Sequence, residues 1–172
     1  MSPREILVSE TREWLERARA DLDACAALIA VALPAEALFH AQQCAEKTMK
    51  ALLTWHQVAF PKTHDLDELK RACLPLAGDA SVYLAGIEKL SPYAWRFRYP
   101  GAPYSPEETE ADAAREATGR LFEALASQLA LQFADGRSIG HASRQILFPS
   151  GYGSTSGNRS TVRPGRGWAR SG

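Results

Sequence analysis

Gln42, Gln43, Glu46, Lys47 and Lys50 fall within nine residues of one another, and their spacing sorts them onto two adjacent ridges of a helix. Gln42, Glu46 and Lys50 follow each other at i, i+4, with Gln43 and Lys47 on the next ridge. One face thus carries two amides, one carboxylate and two ammoniums. Taken alone it describes a solvated face, with a Glu46–Lys50 ion pair contributing roughly 0.2–0.5 kcal/mol. Lys62, His64, Arg96 and Arg98 come from two later loops that can close over the same face. Cations converging near the free N–H groups of a helix N-terminus suit a phosphate. Trp95, Phe97, Tyr99 and Tyr104 interleave with Arg96 and Arg98, a pattern that stacks a base while guanidiniums hold phosphate, or equally pins the loop to the body or to a second subunit.

Other chemistry finds little support. His40 and Cys44 share an i, i+4 spacing, but no further ligand accompanies them, so no metal site is expected. Cys25, Cys44 and Cys73 are widely spaced with no Cys-x-x-Cys, and read as buried thiols of a reducing compartment. There is no Gly-x-x-x-x-Gly-Lys, no Gly-x-Gly-x-x-Gly after a strand and no Gly-x-Ser-x-Gly. No cofactor is expected.

The elements that must position these residues are helical. Trp14, Ala18, Leu22, Cys25, Ile29 and Ala32 predict a first helix from about Ser9 to Leu33. Pro34 suits the first turn of a second, which turns Leu38, Ala41, Ala45, Met49, Leu52 and Leu53 inward and runs to about Val58. Helices joined so tightly must be antiparallel neighbours. Asp65 and Glu68 resemble a capping box opening a third helix with Leu66, Leu69, Cys73 and Leu76, closed at Gly78. Val82, Tyr83, Ile87 and Leu90 predict a short fourth helix. Ser105-Pro106-Glu107-Glu108 reads as an N-cap, N1 Pro and N3 Glu for a fifth, with Ala111, Ala114, Thr118, Leu121, Phe122, Leu125 and Leu129 inward. With no period-two alternation, the fold class is all-α, an antiparallel bundle of four to five helices over residues 1–134.

The 172-residue chain is formally neutral, but six arginines against Asp135 after Ala134 give +5, leaving −5 in the body. An acidic body is a poor nonspecific nucleic-acid binder. Residues 135–172, rich in Gly, Ser and Arg, are read as a disordered tail. The longest apolar run, Ala24 to Leu33, is too short to span a bilayer, so a cytoplasmic protein without membrane association is expected.

In order, Ala20-Asp-Leu22, the Gln-Gln-x-x-Glu-Lys-x-x-Lys-Ala stretch at Gln42–Ala51, Thr63-His-Asp-Leu66, and Tyr93 with Arg98-Tyr-Pro100 resemble the HEPN domain family over roughly Ser9 to Ala134. The resemblance implies a helical bundle that often forms homodimers, binds nucleotides, cleaves RNA, or partners a small nucleotidyltransferase in a toxin–antitoxin-like setting. With the charge convergence described above, the phosphate- or nucleotide-binding set expected is Gln43, Lys47, Lys50, His64, Arg96, Arg98 and Tyr99. RNA-cleaving members carry Arg, four to six residues, then His. No such pair exists here, so a non-catalytic module is expected. The alternatives are a metal-independent endoribonuclease using His64 and Arg98 from dispersed positions, and a structural adaptor with no ligand.

Overall fold

The structure, a computed structural model, describes residues 1–60, 62–97 and 105–135. Helix α1 spans Pro3–Ala30 and starts six residues before the predicted Ser9, because Ser2 and Glu5 form a reciprocal capping box. The Glu5 N–H donates to Ser2 Oγ at 3.2 Å and the Ser2 N–H to Glu5 Oε2 at 2.6 Å. A turn through Ala32, which has positive φ and is exposed, leads into α2, Pro34–Trp55, with Pro34 in the first turn as predicted. α2 stops three residues short of Val58: Gln57 takes a positive φ, and the Val58 N–H returns to the Leu53 carbonyl at 2.9 Å.

Asp65 caps α3, Leu66–Cys73, by accepting from the Asp67 N–H. The predicted box with Glu68 is not made. The Asp65 N–H instead donates to Thr63 Oγ1 at 3.0 Å. The single fourth helix expected next is two 3₁₀ segments, Gly78–Leu84 and Ile87–Ala94. Gly86, at φ +81°, breaks them apart, a conformation that costs glycine nothing. Ala80, Leu84, Ile87, Leu90 and Ala94 are buried along them, whereas Val82 and Tyr83 are exposed. Helix α4 spans Glu108–Ala134 with Glu107, not Ser105, at its N-cap. The predicted start lay two residues early because the box needs helical backbone from Pro106, and Pro106 and Glu107 precede the helix.

α1 and α2 run antiparallel, since Asp21 meets His40 and Lys47 while Trp14 meets Lys50. α2 is the central element and packs on α1, α3, α4 and the second 3₁₀ helix. Its inward residues Leu38, Ala41, Ala45, Met49, Leu52 and Leu53 are all buried, as are all seven predicted on α4. Each Leu so buried contributes roughly 1.5–3 kcal/mol. Trp55 and Phe133 close the far end edge to face at 4.7 Å. The described residues are thus an all-helical bundle, and none of their helices is long and apolar enough to cross a membrane. The predicted tail, beyond Asp135, lies outside the described residues.

Candidate functional site

The polar ridge of α2 is not solvated. Gln42 is 0 %, Glu46 4 % and Lys50 8 % exposed, as deeply placed as the apolar face. The burial comes from other elements. Trp14 of α1 and Phe60 lie edge to face at 6.4 Å, and Lys50 Nζ sits over both rings at 5.6 and 5.8 Å. His64 arrives from the stretch before α3 and covers Glu46. An i, i+4 row in sequence cannot distinguish this seam from an open face.

Glu46 is the hub. Its Oε1 accepts from Lys50 Nζ at 2.8 Å. Its Oε2 accepts from Gln42 Nε2 at 3.0 Å, from Gln43 Nε2 at 3.3 Å and meets His64 Nδ1 at 3.0 Å. Gln42 Nε2 also reaches the His64 carbonyl at 3.3 Å, tying the loop down at its backbone. Burial pushes the Glu46 carboxyl up, but the hydrogen bonds from Lys50, Gln42 and His64, with the Lys50 charge, outweigh it and hold the group below the ordinary carboxylate value. Glu46 is therefore an ionised acceptor at neutral pH, and the His64 nitrogen facing it must carry the hydrogen. The ring is fixed on a buried anchor while its side chain stays 63 % exposed.

Closer to the N-terminal end of α2, Lys47 pairs with Asp21 of α1, and His40 Nδ1 lies 2.9 Å from the other Asp21 oxygen. Sequence spacing tied His40 to Cys44, but the partner comes from another helix. The available signal was Asp21 itself, an acid set between the apolar Ala18, Leu22 and Cys25.

Of the residues singled out from sequence, Gln43, Lys50 and His64 thus meet on Glu46, and Lys47 meets Asp21. Both ammoniums are neutralised by carboxylates. Arg96 lies over the Tyr93 ring at 6.0 Å; Tyr93 stacks on Phe97 and its hydroxyl bonds Glu110. Lys62 and Trp95 are exposed. Arg98, Tyr99 and Tyr104 lie outside the described residues. The N-terminus of α3 is not open to a phosphate as expected, because the Leu66 N–H donates to Ser91 Oγ at 3.0 Å and the Asp67 N–H to Asp65. Cys25, Cys44 and Cys73 are buried, and burial raises their thiols to about 11, 12 and 12. Among the described residues no group of three or more His, Cys, Asp or Glu side chains is placed to hold a metal.

The family model described as the HEPN domain matches residues 11–129, which includes α1 from Thr11, all of α2 and most of α4. A solved structure described as an archaeal HEPN homologue superposes with a TM-score of 0.54 at 24 % identity, covering 69 % of this chain and 97 % of that one, a likeness in fold. No curated protein matches the sequence.

Proposed function

Since the chain belongs to the HEPN domain family, we propose that it is a non-catalytic nucleotide-binding module of that family, with the α1–α2 seam and His64 as its ligand-facing surface. One observation carries this reading: a buried, ionised Glu46 holds an exposed imidazole by its Nδ1. Taking a carboxylate out of water is costly, and Lys50 already balances the charge. The extra hydrogen bond to His64 sets the direction of a ring that would otherwise turn freely in solvent. A pre-oriented surface ring gains affinity by having less freedom to lose. The same surface suits a small nucleotidyltransferase as partner, in a toxin–antitoxin-like pair, and the exposed Val82, Tyr83 and Trp95 supply apolar area for a homodimer or for that partner.

Calorimetric titration with nucleotides tests the proposal. The wild type binds, and His64→Ala weakens binding by roughly tenfold, the loss expected for an oriented polar contact. Equal affinity in His64→Ala removes the seam from the ligand site. Absence of binding by every common nucleotide leaves the structural adaptor.

The carboxylate-held imidazole also favours one second reading, metal-independent RNA cleavage with His64 moving the proton at a ribose hydroxyl and Arg98 steadying the phosphorane charge. Cleavage of RNA by the wild type, lost in both His64→Ala and Arg98→Ala, selects it. Intact RNA after prolonged incubation rejects it.

A further inference from the structure

The Asp21 group repeats the design of the Glu46 group. Each carboxylate gives one oxygen to an α2 ammonium and the other to an imidazole Nδ1: Asp21 to Lys47 and His40, Glu46 to Lys50 and His64. In each, the lysine alone cancels the charge, so the imidazole is not needed for neutrality. What the second oxygen adds is a fixed ring. An ionised carboxylate only accepts, which places the hydrogen on Nδ1 and leaves Nε2 of the neutral ring as an acceptor. No hydrogen bond among the described residues uses Nε2 of either ring. The His40 side chain is 31 % exposed and that of His64 63 %. Gln43 of α2 donates its Nε2 hydrogens to Gln42 and Glu46. The four charged groups of the seam cancel, so it offers a ligand two oriented acceptors and no net charge.

We infer that His40 is a second ligand-facing acceptor of this seam, and that the ligand received there is a ribonucleotide held through its sugar hydroxyls. The inference rests on the nucleotide-binding reading above and names its chemistry. Ionised phosphate oxygens are acceptors and gain nothing from an Nε2 lone pair. The ribose hydroxyls are donors, present whatever the base, and the 2′-hydroxyl is the group that separates ribose from deoxyribose. Asp21 acts as the positioning residue for His40, as Glu46 does for His64.

The test titrates the full chain calorimetrically with the four ribonucleoside 5′-monophosphates and their 2′,3′-dideoxy counterparts, then repeats the series with His40→Ala. At least one ribonucleotide is expected to bind roughly two- to tenfold more tightly than its dideoxy form, the span of a single neutral hydrogen bond. His40→Ala reduces that preference without abolishing binding. In the wild type, the His40 Nε2 nitrogen resonance moves with the ribonucleotide and stays still with the dideoxy form, a readout that needs no substitution and that a purely structural His40 would not give. If ribonucleotides bind but the sugar preference is absent, or persists in His40→Ala with Nε2 unmoved, the inference is overturned while the nucleotide-binding reading stands. If none of the eight compounds binds, both fall.

Discussion

Two faces of α2 are equally buried and differently built. One presents Leu38, Ala45, Met49, Leu52 and Leu53 to the bundle interior, every one of them 0 % exposed. The other presents Gln42, Glu46 and Lys50, buried beneath Trp14, Phe60 and His64. The apolar face gains its free energy from the area it removes from water and tolerates changes of shape that conserve volume. The polar face gains little net energy, since desolvation offsets its ion pairs, but it accepts only one arrangement of partners. Stability resides mainly on the first face. Orientation, of His64 above all, resides on the second.

The largest expected effect comes from breaking the polar face halfway. Glu46→Ala leaves the Lys50 ammonium buried without its carboxylate and costs about 3–5 kcal/mol in chemical denaturation. Replacing both partners, Glu46→Leu with Lys50→Met, costs far less than the single change, because no charge stays stranded. A double variant as unstable as Glu46→Ala would mean that the pair itself supplies stability and that the polar face does more than orient.

On the apolar face, Leu52→Ala is expected to cost about 2–5 kcal/mol through lost transfer energy and the cavity left behind. It should leave the His64 ring resonances unchanged, since the two faces do separate work. A shift of those resonances as large as that in Glu46→Ala would merge them.

Acid distinguishes the faces further. The Glu46 carboxyl is depressed in the fold, so its contribution is fully present above the ordinary value of 4.5 and is lost as pH falls through the lower folded value. Denaturation midpoints of the wild type fall over that window, and those of the Glu46→Leu, Lys50→Met variant fall less. Parallel curves for the two proteins would remove Glu46 from the acid response.

The smallest effect concerns the entry to α1. Ser2→Ala loses the side-chain half of the capping box and about 1 kcal/mol of stability, with the seam untouched. A helix end that melts no earlier in amide exchange would show that the cap is unnecessary.

The apolar face was legible in the amino-acid order because three- and four-residue spacing of Leu, Met and Ala has one reading, and the α4 stripe from Ala111 to Leu129 was legible for the same reason. The polar face was half legible. The Glu46–Lys50 pair follows from i, i+4 spacing, but its burial depends on Trp14, 32 positions before Glu46, and on His64, 18 positions after it. Asp21 with His40 was missed because Asp21 among apolar neighbours signals only that a partner is needed, and the partner stands on another helix. The starts of α1 and α4 shifted where backbone detail decides: a Ser2 cap, and Pro106 outside the helix rather than at N1.

Whether a buried Glu46 fixes His64 as a ligand-facing ring is read from long-range ¹H–¹⁵N correlation of the histidine rings. At a pH where the ring is neutral, His64 is expected to carry its hydrogen on Nδ1, to lose that bias in Glu46→Gln, and to shift at Nε2 when a nucleotide is added. A His64 protonated on Nε2, or a ring whose tautomer is indifferent to Glu46 and whose Nε2 is indifferent to every nucleotide, would contradict it.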